Sequence, residues 1–166
     1  MKKLTLLILM LAAVAGVHAK TVKKKKKQAT SKEIVSVSIH RTVCFGKCPD
    51  YIVEINKDGT ATYTGRMFVQ DTGIFKKNIG KQKAGEIITL FKTYRVDTCS
   101  EMYENRIPDL PGLNMVINYK KGKKQIYNCK WGPAFLEEIA TAMEEAGKMP
   151  DESKTGWKKT GMPKKP

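Results

Sequence analysis

Apolar and polar residues alternate along "EIVSVSIHR", with Val35, Val37 and Ile39 set against Ser36, Ser38 and His40. Period two over that length predicts a strand with one face buried, and it places His40 on the polar face. Past a loop containing two cysteines, "DYIVEI" puts Tyr51, Val53 and Ile55 on one side, "NKDGT" supplies turn chemistry at Gly59, and "TATYTGRMF" resumes the alternation. These three stretches predict a hairpin. "QDTGIFKKNI" predicts a fourth strand, weakened by Gly73. The period then changes, because Ala84, Ile87, Ile88 and Phe91 follow i, i+3, i+4, i+7 and predict an amphipathic helix over 81–95 despite Gly85. After the proline-punctuated "RIPDLPG", Leu113, Met115, Ile117 and Tyr119 alternate, "KKGKK" turns the chain, and the returning strand sets Tyr127, Cys129 and Trp131 on one face. In "WGPAFLEEIATAMEEAGK" Pro133 suits a first helical turn, Leu136, Ile139, Ala140 and Met143 form a stripe, and Gly147 suits the C-terminal cap. The predicted fold is α+β: an antiparallel sheet in the order ββββ-α-ββ-α, with the helices packed on one face and the other face partly open to solvent.

The ends of the chain have a different character. Residues 1–19 set Lys2 and Lys3 ahead of an uncharged run from Leu4 to Val17 and end on Ala19, which predicts a signal peptide cleaved after Ala19. The run is short for a membrane span, and no cysteine follows it to carry a lipid anchor. The expected product is exported and soluble, in a periplasm or outside the cell, with no transmembrane anchor. Residues 20–32 form a lysine-rich linker expected to be disordered, 33–148 a single globular domain, and 149–166 a basic disordered tail with an imperfect Thr-Gly-x-x-Lys repeat.

Of 166 residues, 31 are Lys or Arg and 16 are Asp or Glu, a formal charge of +15. Its location matters more than its size. Residues 20–32 hold seven lysines and no acid, whereas 33–147 hold 16 bases against 14 acids. With charge confined to the ends and only four arginines in the chain, the pattern speaks against a nucleic-acid partner, which would need ordered basic side chains at base edges. The lysine tails are expected to add a weak contact with an anionic surface.

The cysteines are Cys44, Cys48, Cys99 and Cys129. In an oxidising compartment four cysteines permit three pairings. Four extended residues would separate Cys44 from Cys48 by about 13 Å, against roughly 4.4–6.8 Å for a disulfide, so the near pair needs a tight turn. Gly46 permits one, and Pro49 directs the chain into the next strand. Because the near pair meets first, the favoured pairing is Cys44 with Cys48 and Cys99 with Cys129. The short ring would contribute about 2 kcal/mol and the longer one nearer 4 kcal/mol in the chain-entropy model. A thiol-disulfide redox protein using Cys44 and Cys48 is the main alternative, although a reactive pair usually has Cys-x-x-Cys spacing at a helix N-terminus.

Other chemistry finds little support. Ser36 and Ser38 beside His40 lack an elbow or oxyanion motif, and Glu137, Glu138, Glu144 and Glu145 fit a solvated outer helix face. No metal site, catalytic residue or cofactor is expected. "RTVCFGKCPDY", "INKDGTATYTG", "DLP" and "GPAFLEEI" together resemble a family of exported bacterial domains of unknown function, marked by a Cys-Phe-Gly-x-Cys-Pro-x-Tyr signature, over about 34–146. The resemblance implies a domain of mixed strands and helices and no activity. Cys99 and Cys129 fall outside its pattern, which favours their pairing with each other. The expected function is non-catalytic binding of an envelope partner or ligand. Its candidate surfaces are the signature loop (Arg41, Phe45, Gly46, Pro49, Tyr51) and the loop Asp109, Leu110 and Pro111; inhibition of a secreted enzyme is the third alternative.

Overall fold

Strand alternation becomes a single buried row in the computed structural model, which describes residues 33–104, 109–148 and 156–163. The expected signal peptide and the 20–32 linker lie outside the described residues. The chain runs β1 (Ile34–Arg41), β2 (Asp50–Asn56), β3 (Thr60–Met67), β4 (Gly73–Asn78), α1 (Lys81–Thr93), a 3-10 turn (Val96–Thr98), β5 (Met102–Tyr103), β6 (Leu113–Tyr119), β7 (Lys123–Asn128), α2 (Phe135–Gly147) and β8 (Lys158–Gly161). One eight-stranded sheet results, ordered β5-β7-β6-β1-β2-β3-β4-β8. All neighbours are antiparallel except β5 and β7.

Register places like with like. Ile39 lies between Val53 and Met115, and Val37 between Ile55 and Ile117, all fully buried or nearly so. Burying each such side chain contributes roughly 1.5–3 kcal/mol. The helix stripes close over this layer: Ala84, Ile87, Ile88 and Phe91 from α1, and Leu136, Ile139, Ala140 and Met143 from α2. Gly147 is the last residue of α2, with Lys148 as the cap, and it packs so close to the sheet that a Cβ there would lie 2.7 Å from Val53 Cγ1. Pro133 precedes α2 instead of occupying its first turn.

The class is α+β, but strand order and helix packing both depart from the predicted scheme. Met102–Tyr103 adds a two-residue parallel strand where a loop was expected, too short to show any periodicity. Lys158–Gly161, expected within a disordered tail, extends the sheet along β4. Its anchor is Trp157, half-buried and packed edge-on against Tyr63 at 6.5 Å between ring centres. The helices do not form a uniform layer. α2 lies against β2 and β3, whereas α1 rests on α2, on β1 and on the 3-10 turn. A bulge between Ile34 and Ser36 buries Ile34 and Ser36 and leaves Val35 half-exposed, against the simple alternation. β7 buries Ile126 and Asn128 on the core face and ends before Trp131, which is exposed.

Gly59 shows how tightly the β2–β3 turn meets α1. Its φ is +96°, and a Cβ would lie 2.6 Å from the Gly80 carbonyl carbon and 2.8 Å from the Lys81 nitrogen. Gly80 also has positive φ (+85°) but has open space around it. Gly59→Ala should therefore cost more than about 1 kcal/mol, and Gly80→Ala only about 1 kcal/mol, in the urea denaturation midpoint. Equal losses would mean that the Gly59 to Gly80 approach does not constrain the fold.

Candidate functional site

One row of residues crosses seven strands at one end of the sheet: Tyr103, Asn128, Leu113, Arg41, Tyr51, Gly65 and Gly73. Arg41 stands at the end of β1 on the same side as Val37 and Ile39, so it continues the apolar face with a charge. Beyond it the 42–49 loop is closed by the Cys44–Cys48 disulfide, with Cα atoms 5.5 Å apart. The Gly46 N–H donates to the Cys44 carbonyl at 2.8 Å, which makes the tight turn. The loop is then tied to the one that precedes β6. The Thr42 N–H donates to the Gly112 carbonyl at 3.0 Å, and the Gly112 N–H donates to Thr42 Oγ1 at 2.9 Å.

A cleft of ≈ 710 Å³ opens between these loops and the start of α2. One wall is Arg41, Thr42, Cys48, Pro49, Tyr51 and Pro111, and the other is Asn128, Lys130, Gly132, Pro133, Ala134 and Glu137. The far wall is shaped by Lys130, at φ +64°, and by the Gly132 N–H, which donates to buried Asn128 Oδ1 at 2.8 Å and turns the chain into α2. A volume of this size with a few polar groups among prolines and a disulfide is typical of a ligand pocket.

Arg41 is held from the floor by α2. Its Nε donates to Glu144 Oε1 at 2.8 Å and its Nη1 to Glu137 Oε2 at 2.7 Å. Tyr51 Oη donates to the same Glu144 oxygen at 2.7 Å, and Lys148 Nζ sits 5.0 Å from the Tyr51 ring centre. Burial opposes the charge on Arg41, but the hydrogen bonds to Glu144 and Glu137 outweigh it and hold the pKa above its ordinary value. Burial, followed by the hydrogen bond to Glu144, pushes the Tyr51 phenol up from its ordinary 10.0. Arg41 is thus a permanent cation engaged by two carboxylates, suited to orienting a bound group rather than moving protons.

On the opposite face of the same strands, His40 Nε2 lies 2.8 Å from Asp50 Oδ1, and Arg66 Nε lies 3.6 Å from Asp50 Oδ2. Buried Asp50 therefore cross-links the ends of β1, β2 and β3 behind the cleft.

Of the residues expected at the site, the structure gathers Arg41, Cys48, Pro49, Tyr51 and Pro111. Phe45 points to solvent, and neither Asp109 nor Leu110 lines the cleft. The expected Cys99–Cys129 bridge is not formed; both thiols are free, Cys129 buried and Cys99 half-buried. Cys99 ends the 3-10 turn that precedes β5, whereas the Cys129 N–H donates to the carbonyl of Tyr103, the last residue of β5, so the two cysteines lie at opposite ends of that short strand. The expectation of a solvated carboxylate face fails for Glu137 and Glu144, which grip Arg41; the spacing of seven that puts both on one helix face was the available signal. Thr42, Asn128 and Lys130 carried no sequence signal of their own.

The family model for a domain of unknown function (DUF6438) matches residues 35–147, and the chain belongs to that family. No curated protein matches the chain.

The raised pKa of Tyr51 fixes the sign of its pH dependence. The neutral phenol is favoured in the fold, so its stabilisation is complete below the ordinary value of 10.0 and is lost as pH rises through the higher folded value. Tyr51→Phe should leave one fewer late-titrating phenol in an alkaline absorbance titration. It should also lower stability at neutral pH by about 1.5 kcal/mol, as expected for a hydrogen bond to a carboxylate. An unchanged titration curve would show that the Tyr51 to Glu144 bond is not kept in solution.

Proposed function

We infer that this chain is an exported, non-catalytic binding domain whose cleft takes a ligand or partner in the cell envelope. The observation that carries this is convergence. Signature residues from the 41–51 segment, Pro111 from the loop before β6, and the first turn of α2 meet around one cleft, and its strongest charge is already neutralised by the protein's own carboxylates. Prolines and a disulfide line the walls, and such groups give a ligand a fixed shape and offer no nucleophile. Export is supported by the signal-peptide pattern of residues 1–19 and fits a disulfide in the signature loop. Among the described residues no helix is long and apolar enough to cross a membrane.

The Cys44–Cys48 loop connects two strands and contains no helix, and its spacing is one residue longer than the Cys-x-x-Cys of reactive pairs. Both features support a structural role for the bridge. In a glutathione titration it should stay oxidised to below about −300 mV; exchange between about −120 and −230 mV would make the loop a redox centre and end the binding proposal.

The cleft itself is tested by filling it. Ala134 is exposed on its wall, so Ala134→Trp should fold normally and occupy the space. Native mass spectrometry of the chain recovered from envelope extract should show a bound species in the wild type, reduced about tenfold or more in Ala134→Trp. Equal retention by both would place the binding elsewhere.

A further inference from the structure

The strand directions bring every exposed large apolar side chain among the described residues to the end of the sheet where the cleft opens. β1, β3 and β7 finish at that end, and β2, β4 and β6 begin there. Val43 and Phe45 lie in the β1–β2 loop, Met67 and Phe68 at the β3–β4 connection, and Trp131 just past β7. Met102 pairs with Tyr127, and Met162 follows Gly161, the partner of Ile74. Tyr94 stacks on Phe135, the first residue of α2, at 5.0 Å. Single exposed apolar residues need no account, but eight at one end and none elsewhere do.

Their spacing and neighbours say what covers them. From β5 to β8 this end spans about 34 Å at ~4.8 Å per strand, and the apolar groups are distributed over separate loops and element ends. Phe45 is 89% exposed and Trp131 65% exposed, and each has a lysine close in sequence, Lys47 and Lys130. Segments 42–49, 67–72, 129–134 and 160–163 contain one acid between them, half-buried Asp71. The other acids at this end are Asp97, Glu101 and Glu104 around Met102, Asp109 before β6, and Glu137 and Glu138 in the first turn of α2, which are engaged by Arg41 and Tyr94.

Aromatic rings and thioethers beside lysines suit the headgroup zone of an anionic bilayer, where the ring enters the acyl boundary and the ammonium stays with the phosphates. We propose that this end of the sheet docks on an anionic lipid surface, with Phe45 and Trp131 inserted and Lys47 and Lys130 at the phosphates. The contact is peripheral and leaves the sheet upright on the membrane with the cleft at its base. It does not depend on what the cleft binds.

The test uses the wild-type chain with vesicles of phosphatidylglycerol and phosphatidylcholine, roughly one to three, against phosphatidylcholine alone. The chain should sediment with the anionic vesicles only, and Phe45→Ser should weaken that partition about tenfold or more without changing the circular dichroism spectrum. In Trp157→Phe, where Trp131 is the remaining tryptophan, emission should shift to the blue and be quenched by brominated acyl chains. The sedimentation result stands even if that second variant is destabilised. Failure to sediment overturns the proposal, as does sedimentation unaffected by Phe45→Ser with no spectral shift, which would mean adsorption of the lysine tails alone. If vesicles bind nothing and Phe45→Ser instead removes a co-purifying protein, the surface is a protein interface and the lipid proposal is wrong.

Discussion

The guanidinium of Arg41 sits where an apolar row would otherwise continue, and the surrounding architecture answers to it. A cation under a helix is costly to desolvate unless its donors are met. α2 meets them with Glu137 and Glu144, and Tyr51 shares the second carboxylate from the neighbouring strand. That arrangement fixes α2 across the end of the sheet, with Pro133 and Ala134 sharing the cleft with Cys48 and Pro49 of the 42–49 loop. Three elements are thereby held by one charge-assisted network rather than by packing alone.

Behind this network the loops are held from two further sides. Thr42 and Gly112 exchange hydrogen bonds across two connections, and Asp50 joins His40 and Arg66 on the open face. The disulfide shortens the β1–β2 connection so that little of it can fold back into the cleft. Three prolines and a bridged cysteine in the lining have few internal rotations, and Arg41 and Glu137 are held by each other, which lowers the entropy lost when something binds. The same loops carry Phe45 and Trp131 outward, so a concave polar-floored site and a convex apolar rim share one end of the molecule.

Much of this was legible in the chain. The alternation of Val37 and Ile39, of Val53 and Ile55, and of Leu113, Met115 and Ile117 marks the strands, and the stripe from Leu136 to Met143 marks α2. Arg41, Cys48, Pro49 and Tyr51, singled out as candidates from the sequence, lie in the lining of the cleft. Less visible were β5, two residues long, and β8, a lysine-rich strand whose reason for pairing is the burial of Trp157 against Tyr63. Glu137 and Glu144 look like solvent-facing acids until Arg41 is placed beneath them. Cys99 and Cys129 look like a pair until β5 is placed with one of them at each end.

Local periodicity is a property of neighbours in sequence, so the sequence by itself determined which segments are strands and helices, which face of each is apolar, and that the near cysteines can meet across Gly46. Partnership between distant segments is not encoded in any one window. Arg41 finds Glu137 across 96 residues and Glu144 across 103, and Tyr51 finds Glu144 across 93. Only the tertiary structure decided those meetings, the free state of Cys99 and Cys129, and the gathering of exposed apolar side chains at one end. Each follows from strand register and helix path, which the burial of the whole core sets collectively.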